Sequence, residues 1–146
     1  MSASKPIQND ALDTICAVAL IDSNHKVLLQ LRDEKPGLNS SGLWVFPGGH
    51  QEIGEDLEEC ATREFLEETD YLCTQLRWLM QIHDSFVNAV AQNLHVFWDR
   101  YDGHSAYTCK EGQALEFIAR QEAKNIAIPE YLISIWDLVI LASKKS

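Results

Sequence analysis

Residues Gly49 to Tyr71, GHQEIGEDLEECATREFLEETDY, constrain this chain more than any other stretch. A glycine-rich segment, Phe46-Pro47-Gly48-Gly49, leads into them and reads as a turn. Asp56 to Thr69 then reads as a helix. Asp56, Glu58 and Glu59 enrich its first turn in negative charge, as the helix dipole favours. On a helical wheel Glu67 and Glu68 fall on either side of Glu64, because i+3 and i+4 share a face. Leu57, Ala61 and Phe65 recur at i, i+4 and i+8 and form the stripe that must meet a core. That stripe overlaps the carboxylate face instead of opposing it. Glu64, Glu67 and Glu68 therefore border the core side of the helix, where grouped like charges are unfavourable unless cations compensate. Arg63 can pair with Glu59 and Glu67 at i−4 and i+4 and hold the carboxylates in position.

A solvated acidic face explains Glu58 and Glu59, but it does not explain the inward grouping of Glu64, Glu67 and Glu68. With Glu55 these residues look like an oxygen-ligand set for a hard cation. Mg2+ in particular works together with phosphate oxygens from a substrate. On spacing alone, a metal site and a decorated helix both stay open.

Around this block the chain mixes strands and helices. Thr14 to Asp22 and Lys26 to Arg32 read as strands joined at Ser23-Asn24-His25, which predicts a hairpin. Asp33 to Gly42 carries loop chemistry. Leu43 to Phe46 is a short apolar strand running into the glycines. Gln75 to Val87 and Asn93 to Tyr101 read as further strands with a turn over Asn88 to Gln92. Asp102 to Gly112 is a polar loop, and Ala114 to Arg120 a strand. Pro129 to Ser143 is a helix with proline near its first position, and Leu132, Ile135, Trp136 and Val139 follow helical spacing. There is no regular βαβ alternation, so a mixed sheet between two helices fits better than a doubly wound parallel sheet. The class is α/β in the broad sense, of the α+β type. At 146 residues the expectation is a flexible lead-in over residues 1–10 and one domain over 11–146.

Composition narrows the function classes. A formal net charge of −10 would repel a nucleic acid backbone, so no nucleic acid polymer is expected as partner. Small phosphorylated substrates are compatible with that charge, because bound metal ions invert it locally. Cys16, Cys60, Cys73 and Cys109 form no C-x-x-C pair and read as buried thiols in a reducing compartment. The polar start MSASKPIQND has no apolar core of a secretory signal, and no apolar run reaches a membrane span. A cytoplasmic enzyme without a membrane partner is expected.

The spacing of the acidic block resembles the Nudix box, Gly-x5-Glu-x7-Arg-Glu-apolar-x-Glu-Glu-x-Gly-apolar. Gly49, Glu55, Arg63, Glu64, Phe65, Glu67, Glu68 and Tyr71 stand at the matching positions. Asp70 departs from the pattern, standing where the family has glycine. That position follows the helix, where a left-handed backbone is common, and aspartate tolerates it better than most residues. The order of elements also looks like the Nudix fold, an α/β/α sandwich with a mixed sheet. The segment Lys110 to Gln113 resembles a downstream acidic position of MutT-like members.

The resemblance implies hydrolysis of a nucleoside diphosphate linked to another moiety, with Mg2+ or Mn2+ as cofactor. Carried over by position, the Gly48 carbonyl, Glu64, Glu67 and Glu68 would bind or orient metal, with Glu111 a further ligand. Glu64 would take the proton from the attacking water, while Arg63 and Glu55 orient the set. Arg32, Lys35 and Gly49 are candidate substrate contacts. Arg32 and Lys35 also read as solvated cations. His50 could approach phosphates, and Phe86 and Tyr131 could reach a cleft over the sheet, whereas Trp44 reads as core. A MutT-like (d)NTP pyrophosphohydrolase giving nucleoside monophosphate and pyrophosphate is the leading expectation. A hydrolase of nucleoside diphosphate sugars or dinucleoside polyphosphates is the alternative. A Nudix-fold ligand sensor without catalysis would be expected to lose box carboxylates or carry an appendage, and Glu55, Glu64, Glu67 and Glu68 are all present. A simple Ca2+-binding protein would carry a D-x-[DN]-x-[DN]-G loop, which this chain lacks. The strands between Gln75 and Tyr101 could serve as an edge for a homodimer.

Overall fold

The first strand explains the architecture. In β1 (Asp13–Ile21), Ala17, Ala19 and Ile21 enter one hydrophobic cluster while Cys16, Val18 and Leu20 enter another. A strand buried on both faces belongs in the middle of a layered sandwich. The protein, described here from a computed structural model, is defined over residues 13–38, 40–84 and 92–145. The remaining elements are β2 (Val27–Leu31), β3 (Trp44–Val45), β4 (Gly48–His50), α1 (Leu57–Thr69), β5 (Arg77–Asp84), β6 (Gln92–Arg100), β7 (Ala114–Ile118) and α2 (Glu130–Lys145). A 3-10 turn over Arg120–Asn125 connects β7 toward α2. The expected lead-in over 1–10 and Phe86 lie outside the described residues. So does the expected turn over Asn88 to Gln92, apart from Gln92 itself, which opens β6.

The sheet runs β3-β2-β1-β6-β5, with β4 added to β1 and β7 to β2. β1 and β6 are parallel over their whole length and the other pairs are antiparallel. Helix α2 covers one face, burying Leu132, Ile135, Trp136 and Val139 against Val27, Leu29, Val96 and Trp98. Helix α1 covers the other, burying Leu57, Cys60, Ala61 and Phe65 against Cys16, Val18, Leu28 and Phe97. The result is the expected helix–mixed sheet–helix sandwich. No helix among the described residues is long and apolar enough to cross a membrane.

Two local expectations need correction. The predicted hairpin holds only at its mouth, where Ile21 pairs with Val27. Asp22 closes the turn by accepting from the backbone N–H groups of Asn24 and Lys26, each at 2.9 Å. Beyond it the strands part: β1 takes β4, and β2 takes β7 and β3. The glycine segment is likewise a strand, not a turn. Gly48 pairs with Ala17 and Gly49 with Cys16, and neither has a positive φ. Glycine is needed there for close approach. A Cβ on Gly48 would overlap the Cys16 carbonyl and lie 2.6 Å from the Ala17 Cα.

Helix α1 is capped at both ends. Asp56 accepts from Glu59 N at 2.8 Å and Glu59 returns the contact to Asp56 N at 2.9 Å, a capping box. Asp70 stands in the left-handed region at φ 65 and donates its N–H to the Leu66 carbonyl at 2.8 Å. The residue that breaks the box pattern thus adopts the backbone conformation that favours glycine.

Candidate functional site

The parting of β1 and β2 opens one end of the sheet, and α1 lays its acidic edge along it. A cavity of about 390 Å³ lies there. Its polar side presents Glu64, Glu67, Glu68, Glu111 and Arg32. Its apolar side is made by Ile15, Ala17, Phe46, Leu94, Tyr131 and Leu132, from β1, β6, α2 and the segment before β4. The volume lies in the range of small-molecule sites.

Arg63 organises the acidic side. Its guanidinium grips Glu55 in a two-pronged contact, Nε to Oε2 at 2.6 Å and Nη2 to Oε1 at 2.9 Å. Nη1 donates to Glu64 Oε2 at 3.0 Å and to Glu67 Oε1 at 3.3 Å, and Nη2 to the His50 carbonyl at 3.0 Å. One side chain therefore links the loop before α1, two carboxylates on α1 and the end of β4. The expected pairing with Glu67 is present. The expected pairing with Glu59 is not, because Glu59 is occupied in the capping box. Glu55 is held below the usual carboxylate range by its hydrogen bonds to Arg63. The same contacts hold the Arg63 guanidinium well above its usual range.

The three helix carboxylates differ in environment. Glu67 is 56% exposed at its side chain, Glu64 16%, and Glu68 is buried at 6% for the whole residue. Burial raises the Glu64 pKa, with Arg63 pulling against it. Burial raises Glu68 further, to about 8, and the charges of Glu111 and Glu64 add to the shift. Glu68 Oε1 accepts from two neutral donors, Gln30 Nε2 at 3.1 Å and Gly48 N at 3.3 Å. The inner-edge reading thus applies fully to Glu68, partly to Glu64, and least to Glu67.

Glu111 reaches the site through backbone contacts that no local pattern reveals. Thr108 N donates to the Thr69 carbonyl at 2.7 Å and Lys110 N to the Glu68 carbonyl at 3.1 Å. Gly49 lies directly against the site, since a Cβ there would overlap the Glu64 carboxylate. Arg32, just after β2, lines the cavity, and its buried Nε has no hydrogen-bond partner among the described residues. His50 and Tyr131 line it too. Lys35 is not brought in. It is 69% exposed at its side chain, with its ammonium 3.9 Å from Asp33. Trp44 packs against the core beneath α2, as expected. Sequence reasoning missed Gln30, a polar residue inside the buried run Val27-Leu28-Leu29, although that misfit was a readable signal.

The donor set suits a hard divalent cation, being carboxylates without thiol or imidazole among them. Among the described residues, no three acidic, histidine or cysteine side chains converge closely enough to hold an ion as they stand. Arg63 donates to both Glu64 and Glu67.

The NUDIX domain family matches residues 12–133. The chain belongs to the NUDIX family. The chain is 41% identical over 81 residues to the m7GpppN-mRNA hydrolase NUDT17 of Xenopus laevis, covering 54% of this chain and 27% of that protein. It is also 41% identical over 54 residues to a putative 8-oxo-dGTP diphosphatase of Bacillus subtilis, covering 37% of this chain and 32% of that protein. The chain thus spans about a third or less of the curated relatives it matches. Among solved structures, the MutT protein from Methanosarcina mazei superposes with a TM-score of 0.76 at 17% identity, covering 96% of this chain and all of that one. The fold is MutT-like, and Nudix hydrolases generally use divalent metals.

Proposed function

We propose that the protein is a Mg2+-dependent hydrolase of a nucleoside diphosphate-X bond, with a (d)NTP as substrate and nucleoside monophosphate and pyrophosphate as products. The observation that carries this reading is the cavity itself. It is lined both by carboxylates and by apolar side chains together with Tyr131, a combination that suits a polyphosphate joined to a flat base. The similarity to a putative 8-oxo-dGTP diphosphatase supports the triphosphate class.

In this reading Glu64, Glu67, Glu68, Glu111 and the Gly48 carbonyl would hold the cation. Mn2+ would substitute for Mg2+. A bound divalent cation supplies polarisation of the phosphoryl oxygens and lowers the pKa of water beside it. The chain's own groups do the rest. Glu64 accepts the proton of the water that attacks phosphorus, as the bridging P–O bond breaks and its electron pair leaves with the departing phosphate. Burial raises the Glu64 pKa, and Arg63 donates to one oxygen of the carboxylate. Glu55 in turn fixes Arg63. The unpartnered Arg32 Nε offers a donor to a phosphate or base oxygen. Gly49, by carrying no side chain, leaves room for the Glu64 carboxylate against β4. Lys35 contributes only if its loop turns toward the cavity.

The similarity to an mRNA cap hydrolase favours a second reading, a nucleotide joined through phosphates to another moiety. A panel of (d)NTPs, oxidised dNTPs, NDP-sugars and dinucleoside polyphosphates separates the two. Mg2+-dependent release of pyrophosphate from a triphosphate supports the first. Turnover confined to the conjugates supports the second. No turnover on any of them overturns both and leaves the ligand-sensor reading.

A further inference from the structure

Gln30 sits in the middle of β2, paired with Val45 on one side and Leu115 on the other, and it is 3% exposed. Its alternation along the strand puts it on the same face as Leu28, toward α1. Val27, Leu28 and Leu29 beside it are apolar and fully buried. A primary amide in such a run is costly unless its hydrogens find partners. Both do. Nε2 donates to Glu68 Oε1 at 3.1 Å and to the backbone carbonyl of Glu111 at 3.3 Å.

These two contacts join the acidic helix to the acidic loop. The loop is pressed onto β2 at this point: Gln113 N donates to the Leu31 carbonyl at 2.8 Å and Gln113 Nε2 to the Arg32 carbonyl at 2.9 Å. Gly112, at φ +80, lets the chain come so close that a Cβ would stand 2.5 Å from the Leu31 carbonyl oxygen and 3.2 Å from the Gln30 Cγ. Gln30 Nε2 and Gly48 N both donate to the same oxygen of Glu68, Oε1.

We propose that Gln30 is a positioning residue for the carboxylate site, one that fixes the orientation of Glu68 and couples it to the Glu111 loop through a single amide. The inference rests on the cation-binding reading above. Groups that orient metal ligands without touching the metal commonly contribute tenfold or more to metal affinity.

Gln30→Met keeps the length and removes the donor. In the metal-stripped full chain, Mn2+ binding followed by electron paramagnetic resonance should be weaker in Q30M by about tenfold or more. The Mg2+ concentration for half-maximal activity should rise in parallel, while kcat at saturating Mg2+ stays within about threefold of wild type. A folded Q30M that binds Mn2+ within about twofold of wild type overturns the proposal and leaves the metal site standing. A wild-type protein that takes up no Mn2+ overturns the metal site and this inference with it. Should Q30M fail to fold, the wild type decides: its assigned Gln30 side-chain amide resonances should shift on Mg2+ addition, and resonances that do not move overturn the assignment.

Discussion

Glu68→Gln should stabilise the metal-free protein while abolishing its response to Mg2+. Glu68 is buried, and burial with the charges of Glu111 and Glu64 lifts its pKa to about 8 from an ordinary 4.5. The sign follows directly. Between those values the folded chain keeps a proton that the unfolded chain has released, so stability falls as pH rises through that window. At neutral pH the cost of this one group is about 3 kcal/mol. Glutamine has nearly the same shape, and its carbonyl can still accept from Gln30 Nε2 and Gly48 N. Allowing for the burial of a second amide, E68Q should gain about 1–2 kcal/mol, or roughly 3–6 °C in Tm. The assay is thermal unfolding in EDTA between pH 5 and pH 8.5, with and without excess Mg2+. In EDTA the wild-type Tm should drop toward pH 8 more steeply than that of E68Q. In Mg2+ at about a hundred times its Kd the wild type should gain about 2.7 kcal/mol and E68Q little, so the order of stabilities inverts. An E68Q protein less stable than wild type in EDTA at pH 7.5, or one that gains as much from Mg2+, would refute the reasoning.

Three further perturbations probe separate parts of the account. Gly49→Ala needs no unusual backbone, but its Cβ overlaps the Glu64 carboxylate. It should keep its far-ultraviolet circular dichroism and lose about 10–100-fold in kcat. Arg63→Lys removes the two-pronged grip on Glu55 and the reach to Glu64 and Glu67. Steady-state kinetics should show kcat down by about 10–100-fold with only a small change in Tm, because a point charge cannot replace a planar fork. Asp70→Gly relieves a left-handed aspartate at φ 65. Denaturant titration should show a gain of about 0.5–1 kcal/mol, the loss of the Lys110 contact at 3.6 Å being minor.

What the sequence disclosed was local. The periodicity of Leu57, Ala61 and Phe65, the acidic first turn and the offsets of Glu64, Glu67 and Glu68 are all properties of one helix. Asp70 was legible for the same reason, since a helix stop depends on a few neighbours. The hairpin was over-read because turn chemistry at Ser23 to His25 specifies the corner but not how far the strands stay paired. Gly48 and Gly49 were over-read as a turn because glycine signals either a bend or a close approach, and only the neighbouring β1 shows which. Arg63 was expected to reach Glu59, but the capping box claimed that residue and the preceding loop brought Glu55 instead. Leu94 and the docking of Glu111 on α1 join residues far apart in the chain. Such contacts are fixed by strand order, which no local pattern encodes.

The central claim is that the carboxylates of α1 act through a bound divalent cation on a nucleotide polyphosphate. The most direct test is kcat for the wild type, E67Q and E68Q on the best nucleotide of the panel, titrated with Mg2+ from EDTA-stripped protein. The account predicts no turnover without metal, saturable turnover for the wild type, and a loss of about a hundredfold or more in both variants at saturating Mg2+. Near wild-type turnover in both variants, or turnover that persists in EDTA, would contradict it.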